Sequence, residues 1–351
     1  ATIDWGDGQT STHTTGNPTH TYASAGQYQI KISGQYNGLR INQDAIEKDK
    51  LIAVNQWGNV GFTSFGYAFY GCSNLVSLPS GSITGAENVT TFRSCFNGCT
   101  SLTTIPLDLF KYNVNVTTFL YCFQDCTSLA TIPVDLFIYN INVTTFQGCF
   151  YGCTSLTTIP LDLFRYNVDV ESFRACFNGC TSLTTIPTDL FRYNINVTTF
   201  EYCFRDCTSL ATIPTDLFRY NINVTTFEYC FRGCTSLTSI PNGLFDYCIN
   251  VTTFAYCFYD CTSLTTIPLD LFKYNVNVES FRSCFYDCKN LALPTSIFNL
   301  TALQAKQPDM AYCFRTASTA DSPTGTVQPI WDYVTITARN YCFIRCTALT
   351  N

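Results

Sequence analysis

A block of 27 residues recurs through most of this chain, and it restricts the fold more than any other feature. "NVTTFRSCFNGCTSLTTIPLDLFKYNV" begins at Asn88, and related copies begin at 115, 142, 169, 196, 223, 250 and 277. A looser copy, "GFTSFGYAFYGCSNLVSLP", begins at Gly61. Two stretched copies carry Cys313 and Cys342, each 29 residues beyond the preceding equivalent. No single copy can bury its Leu, Ile and Phe alone, whereas stacked copies make one continuous core. The expected architecture is therefore a solenoid of about eleven repeats, each 27–29 residues long.

The unit divides into four parts. "SLTTIP" reads as a short strand with Leu102 and Ile105 inward, ended by Pro106, which cannot continue a ladder. "DLFKY" reads as a helical turn with Asp108 as its N-cap. "NVTTF" is β-branched and aromatic, a second short strand. "CFNGC" is a tight turn in which a small or acidic residue (Gly98, Asp125, Gly152) precedes the second cysteine. A period of 27 with Leu-x-x-Ile at a fixed place lies in the leucine-rich-repeat range. Parallel strands would stack ~4.8 Å apart. Upstream, residues 1–34 alternate in the β manner between turn residues and form a small β unit. Residues 35–60 supply the linker and N-terminal cap, and residues 61–351 the solenoid.

Composition narrows function mainly by exclusion. A net charge of −6 argues against an electrostatic grip on nucleic acid or anionic lipid. No apolar run approaches the ~18–20 residues needed to span a bilayer. The chain opens at "ATIDWGDG", inside a predicted strand, so an upstream export signal or anchor is expected. The repeats hold no histidine, since the only two are His13 and His20. They also lack a nucleophile–base pair, a P-loop and a dinucleotide fingerprint, so neither an enzyme nor a cofactor is expected.

The 21 cysteines fall in two columns four residues apart, plus the solitary Cys248. Zinc sites favour CxxC or mixed Cys/His sets, and a redox site needs one tuned, accessible thiolate, so neither fits nine near-identical pairs. Two readings stay open. The thiols are reduced and fill a small apolar slot, consistent with Ala68 and Ala317 where a cysteine is missing. Alternatively a staggered ladder joins the second column of each copy to the first column of the next. Its pairs would be Cys72–Cys95, Cys99–Cys122, Cys126–Cys149, Cys153–Cys176, Cys180–Cys203, Cys207–Cys230, Cys234–Cys257, Cys261–Cys284 and Cys288–Cys313.

Four columns vary among copies: the two positions before the first cysteine, the second position after it, and the position holding Lys111, Arg165, Arg192, Arg219 and Lys273. The candidate partner-binding residues are Tyr121, Tyr202, Arg205, Tyr229, Arg232, Tyr256, Tyr259 and Tyr286, because Tyr and Arg are enriched at binding hot spots. A solvated face free to drift is the plainer account of the same variation. The "NVT" sequons at Asn88, Asn115, Asn142, Asn196, Asn223 and Asn250 fit a structural Asn ladder better than glycan acceptors. Asp4 and Asp7 of "DWGDG" fit a hairpin turn better than a calcium site.

"YAFYGCSNLVSLP" and the "CFxxCTSLTTIP" copies resemble the BspA-type leucine-rich repeats of bacterial surface proteins. "IDWGDG…HTYASAGQYQIKISG" resembles the second half of a PKD-like β-sandwich. The resemblance implies an exported, non-enzymatic adhesion or binding protein that meets a protein or glycan at a cell surface or matrix. The alternative is a structural fibre or phage-tail-type element in which the solenoid is a rigid spacer. The strand edge at "CTALTN" would then invite self-association.

Overall fold

The computed structural model describes residues 1–14, 18–35, 39, 41, 48–59, 61–292, 298 and 305–315. Three short strands open the chain: β1 (Thr2–Asp4), β2 (Thr10–Thr12) and β3 (Lys31–Ser33). They form an antiparallel sheet in the order β2-β1-β3, with Ile3 opposite both Ser11 and Ile32. The Asp4 and Asp7 carboxylates accept the backbone N–H groups of Gly6 and Gln9. Both acids thus serve the turn, and among the described residues no group of three or more His, Cys, Asp or Glu could hold a metal.

From Phe62 to Phe314 the buried side chains form a single apolar cluster. Each copy is tied to the next by backbone hydrogen bonds that alternate with turns inside the copy. The N–H groups of Phe92, Ser94, Phe96 and Gly98 donate to Thr118, Leu120, Cys122 and Gln124 of the next copy. Those of Cys95, Asn97 and Cys99 donate three residues back, to Phe92, Ser94 and Phe96. Even positions therefore build the stack while odd positions close turns, so nearly every polar backbone group here is paired. This alternation requires a left-handed backbone at two places per copy, just before the first cysteine (Ser94, φ 50°) and just before the second (Gly98, φ 74°). The second place holds only Gly or Asp in the described copies of the 27-residue repeat, the residue types that tolerate this conformation.

The expected strands contract to single-residue parallel bridges. The chief ladder runs through the second threonine of "NVTTF": Thr91, Thr118, Thr145, Ser172, Thr199, Thr226, Thr253, Ser280 and Asp309. The "SLTT" segments meet by backbone bonds such as Thr184 N–H to the Thr157 carbonyl, 3.3 Å, and form bridges at Ser239–Thr266–Ala292. "DLFKY" is not a helix. It closes successive three-residue turns, Leu109 to Pro106, Lys111 to Asp108 and Asn113 to Phe110. Lys111 donates to the Asp108 carbonyl as part of this turn, so with no helix following it the N-cap role of Asp108 is not realised. Helix nucleation is unfavourable, and a segment this short offers no propagation to offset it.

Inside the coil, identical side chains stack on their counterparts. Phe96 and Phe123 lie 5.3 Å apart and 6° from parallel, and Phe119 and Phe146 5.9 Å apart and 2° from parallel. Buried Asn113, Asn140, Asn167, Asn194 and Asn221 form a second column. The Asn140 Nδ2 donates to the carbonyls of Asn113 (2.9 Å) and Phe110 (3.2 Å). Cys248 occupies this column between Asn221 and Asn275, which accounts for the solitary cysteine. Its Sγ approaches the carbonyls of Phe218 and Asn221 at 3.7 and 3.8 Å.

All nineteen described cysteines are buried free thiols. The staggered pairs from Cys72–Cys95 through Cys288–Cys313 are not bonded in the structure. The second-column thiols turn instead to phenylalanine carbonyls: Cys99 Sγ lies 3.2 Å from Phe69 O, and Cys126 Sγ 3.1 Å from Phe96 O. Cys342, Cys346, Ala317 and the "CTALTN" edge lie outside the described residues. No helix among the described residues is long and apolar enough to cross a membrane.

Candidate functional site

The left-handed position before the first cysteine is where the tyrosines stand. Tyr202, Tyr229 and Tyr256 hold φ of 58°, 57° and 58°. A left-handed backbone costs a residue with a Cβ roughly 1–2 kcal/mol. The conformation aims these side chains outward, one above another, beside the bridge ladder. Tyr202 and Tyr229 stack at 4.6 Å, as do Tyr229 and Tyr256. On the other side of the first cysteine, Tyr259 and Tyr286 stack at 4.7 Å. Tyr256 and Tyr259 meet at 6.0 Å, tilted by 43°, joining the two rows.

Arginines lock the rows together. Arg232 lies 5.9 Å from the Tyr229 ring and 5.0 Å from that of Tyr259. Arg205 sits 5.6 Å from Tyr202, and its Nε is 3.0 Å from Asp206 Oδ2, an ion pair rather than an aligned hydrogen bond. Seven of the eight expected residues thus form one half-buried face. Tyr121 does not join it, because Gly148 and Ala175 occupy its column before Tyr202 begins. Its hydroxyl accepts Gln147 Nε2 at 2.8 Å, and its ring covers Gly148.

The sequence pattern understates this face. Arg174 lies over Tyr202 (5.4 Å) and pairs with Glu201 at 2.8 Å. Arg282 donates to the Tyr256 hydroxyl (3.2 Å) and faces Asp309 (3.4 Å). Arg315 lies over Tyr286 and Tyr312 at 5.4 and 5.3 Å. Arg174 and Arg282 stand in the variable column two before the first cysteine, and Arg315 in the column two after it. Desolvation, then mutual charge, pushes the Tyr229 and Tyr259 phenols above the ordinary tyrosine range. For Tyr202 desolvation leads and Glu201 follows. These phenols stay neutral hydrogen-bonding groups near pH 7.

The fourth variable column makes a separate exposed row. Arg165, Arg192 and Arg219 pair with Asp162, Asp189 and Asp216 at 3.4, 3.5 and 3.6 Å. Each also lies over the next copy's Tyr193, Tyr220 or Tyr247, 5.2–5.3 Å away. The sequon asparagines serve the stack: Asn142 Nδ2 donates to the Val114 carbonyl at 3.0 Å, and Asn115, Asn196, Asn223 and Asn250 bond alike.

Two family models match. The BspA type Leucine rich repeat region matches in six copies over residues 62–176 and 121–252, together more than half of the chain. The Mycoplasma protein of unknown function DUF285 matches residues 198–326. No match was found among curated proteins. Among solved structures, a leucine-rich repeat protein from Bacteroides ovatus is 16% identical over 94% of this chain and 97% of that one, with a TM-score of 0.32. A leucine rich cell surface protein from Faecalibacterium prausnitzii is 19% identical over 75% of this chain and 83% of that one, TM-score 0.27. The Toll–Spätzle complex of Drosophila is 18% identical over 72% of this chain and 37% of that one, TM-score 0.36. With the repeat, its apolar columns and the family model in register from residue 62 to 252, the chain belongs to the BspA-type leucine-rich repeat proteins.

Proposed function

We propose that this chain is an exported, non-enzymatic binding protein that grips a protein or glycan partner through the face from Tyr202 to Tyr286. Leucine-rich-repeat proteins commonly mediate protein binding. The observation that carries the reading is the tyrosine stack on left-handed backbone. Three consecutive copies place a large aromatic where Gly, Ala or Ser stands in four others (Gly148, Ala175, Ser94 and Ser283). Backbone strain concentrates where function holds it, and rigid aromatics make interface contacts at low entropic cost. A surface free to drift would have no reason to keep that cost at adjacent rungs.

A protein and glycan binding screen on the native chain, repeated with Tyr202, Tyr229 and Tyr256 changed together to Ala, tests the proposal. Loss of a binder in the variant supports it, and unchanged binding sinks it. The alternative is a rigid spacer in a fibre, favoured by the four backbone bonds that tie Phe92, Ser94, Phe96 and Gly98 to the following copy. That reading expects no binder on the native chain.

A further inference from the structure

The tyrosine stack has an acidic border that its own cations leave incomplete. Glu201 and Glu228 occupy the same position in successive copies, two residues before the first cysteine. Arg174 reaches Glu201 at 2.8 Å. No hydrogen bond or ion pair reaches the Glu228 carboxylate among the described residues. Its other neighbours are occupied or too short. The next copy has Ala255 at this position, and Arg282 beyond it turns to the Tyr256 hydroxyl and Asp309. Arg205 faces Asp206, and Arg232 lies over Tyr229 and Tyr259. Glu228 is thus a half-buried anion with a like charge beside it and no cation of its own. Burial first and Glu201 second push its carboxyl above the usual carboxylate range, against an opposing pull from Arg174, which is already bound to Glu201.

The rings say which partner suits the face. Tyr229 is covered on both sides, by Tyr202 and Tyr256. Tyr202 carries Arg174 and Arg205 over its ring. Sugar rings bind aromatics through an open ring face, and beside Glu228 the rings of Tyr202 and Tyr229 present edges and hydroxyls instead. Ring edges, phenols and an unpaired carboxylate suit a peptide surface bearing a cation.

Resting on the reading of this face as the binding site, we propose that its partner is a basic protein segment that sets an arginine or lysine side chain against the Glu228 carboxylate beside the Tyr202–Tyr229 stack. Charge complementarity at a half-desolvated site gives the contact its strength and orientation. Glu201, already paired with Arg174, flanks the incoming cation and rejects an acidic partner.

The test uses the full chain at physiological salt with four probes: a short Arg-rich peptide, its Gln counterpart, a Glu-rich peptide, and a panel of neutral and sialylated oligosaccharides. Calorimetry or interferometry is expected to show binding of the Arg-rich peptide alone. Glu228→Gln is expected to weaken it about tenfold, and Asp169→Asn, away from the face, to leave it unchanged. Glu228→Lys gives a readout independent of lost folding, because it is expected to lose the basic peptide and gain the Glu-rich one. The proposal falls if the Arg-rich peptide does not bind, if Glu228→Gln binds it as well as the native chain, or if the acidic peptide is preferred. Oligosaccharide binding that depends on Tyr229 but not Glu228 would overturn this inference and leave the broader reading of the face standing.

Discussion

Tyr202 and Tyr229, one copy apart, stack with ring centroids 4.6 Å apart and planes 8° from parallel, and both hold left-handed backbones, φ 58° and 57°. The two facts oppose each other energetically. Stacking contributes roughly 0.5–1.5 kcal/mol beyond area burial, while the two left-handed backbones together cost roughly 2–4 kcal/mol. On these two terms the pair is a net cost of roughly 0.5–3.5 kcal/mol, which is why binding is the better account of its presence.

The same balance makes a prediction about substitutions. Tyr229→Gly loses the stacking but relieves the backbone, so stability should stay within about 1 kcal/mol of the native chain. Tyr229→Ala loses the stacking with no relief and should be the less stable of the two. Thermal denaturation of both variants checks the order. A glycine variant markedly weaker than the alanine one would mean that the backbone is not strained here.

Gly152 makes the opposite case. Its φ is 68°, and a Cβ built there would collide with the Asp125 side chain of the preceding copy. Gly152→Ala adds both backbone strain and overpacking, for a loss of about 1–3 kcal/mol. Asp125→Gly, at φ 55°, should be neutral or stabilising. Paired denaturation curves measure both, and a tolerated Gly152→Ala would remove the reason given for glycine in this column.

Most of the fold was legible because stacking turns one sequence period into one structural unit. Columns at fixed offsets, such as Leu102 or Phe96, can only repeat their environment. The alternating pattern at Ser94–Cys99 was not legible, because its hydrogen bonds join residues 26 positions apart, such as Phe92 and Thr118, and local propensity says nothing of those. "CFNGC" therefore read as a lone turn, and the Gly/Asp column as a turn residue without its conformation. "DLFKY" looked helical by composition but is too short to nucleate. Cys248 could have been placed by register alone, since it lies 27 residues from both Asn221 and Asn275. Among site residues, Tyr and Arg were found by residue type. Glu228 was missed because its meaning lies in the absence of a cation at Ala255, which only the stack reveals.

The asparagine column offers a gain as well as a loss. Asn167 Nδ2 donates to the carbonyls of Phe137 (3.2 Å) and Asn140 (2.9 Å). Asn167→Ala strips both buried acceptors of that donor and should cost about 1–3 kcal/mol. Cys248 supplies only long sulfur contacts to Phe218 and Asn221. Cys248→Asn should restore two amide bonds and raise the stability by up to about 1 kcal/mol, the orphaned Oδ1 shared by the other ladder asparagines limiting the gain. A lower melting temperature for Cys248→Asn would show that the thiol is preferred there for its packing.

The thiols predict a sharp alkaline limit. Burial pushes Cys72 and Cys248 up to about 12, and the interior columns well above their ordinary value. A folded pKa above the unfolded one means that the folded chain holds its protons more tightly. Stability is therefore complete below the unfolded thiol value of about 8.5, and is lost as pH rises from there toward the folded values. Each thiol that stays protonated only in the folded state costs about 1.4 kcal/mol per pH unit in that window. With eighteen thiols raised in this way, cooperative unfolding should set in within about two units above pH 8.5. Thiol counting without reductant completes the test. The native chain should react with almost no reagent, and the denatured chain should titrate about 21 thiols, the full complement of the sequence. A denatured count near three, together with stability indifferent to pH up to about 10, would instead establish the staggered disulfides from Cys72–Cys95 to Cys288–Cys313.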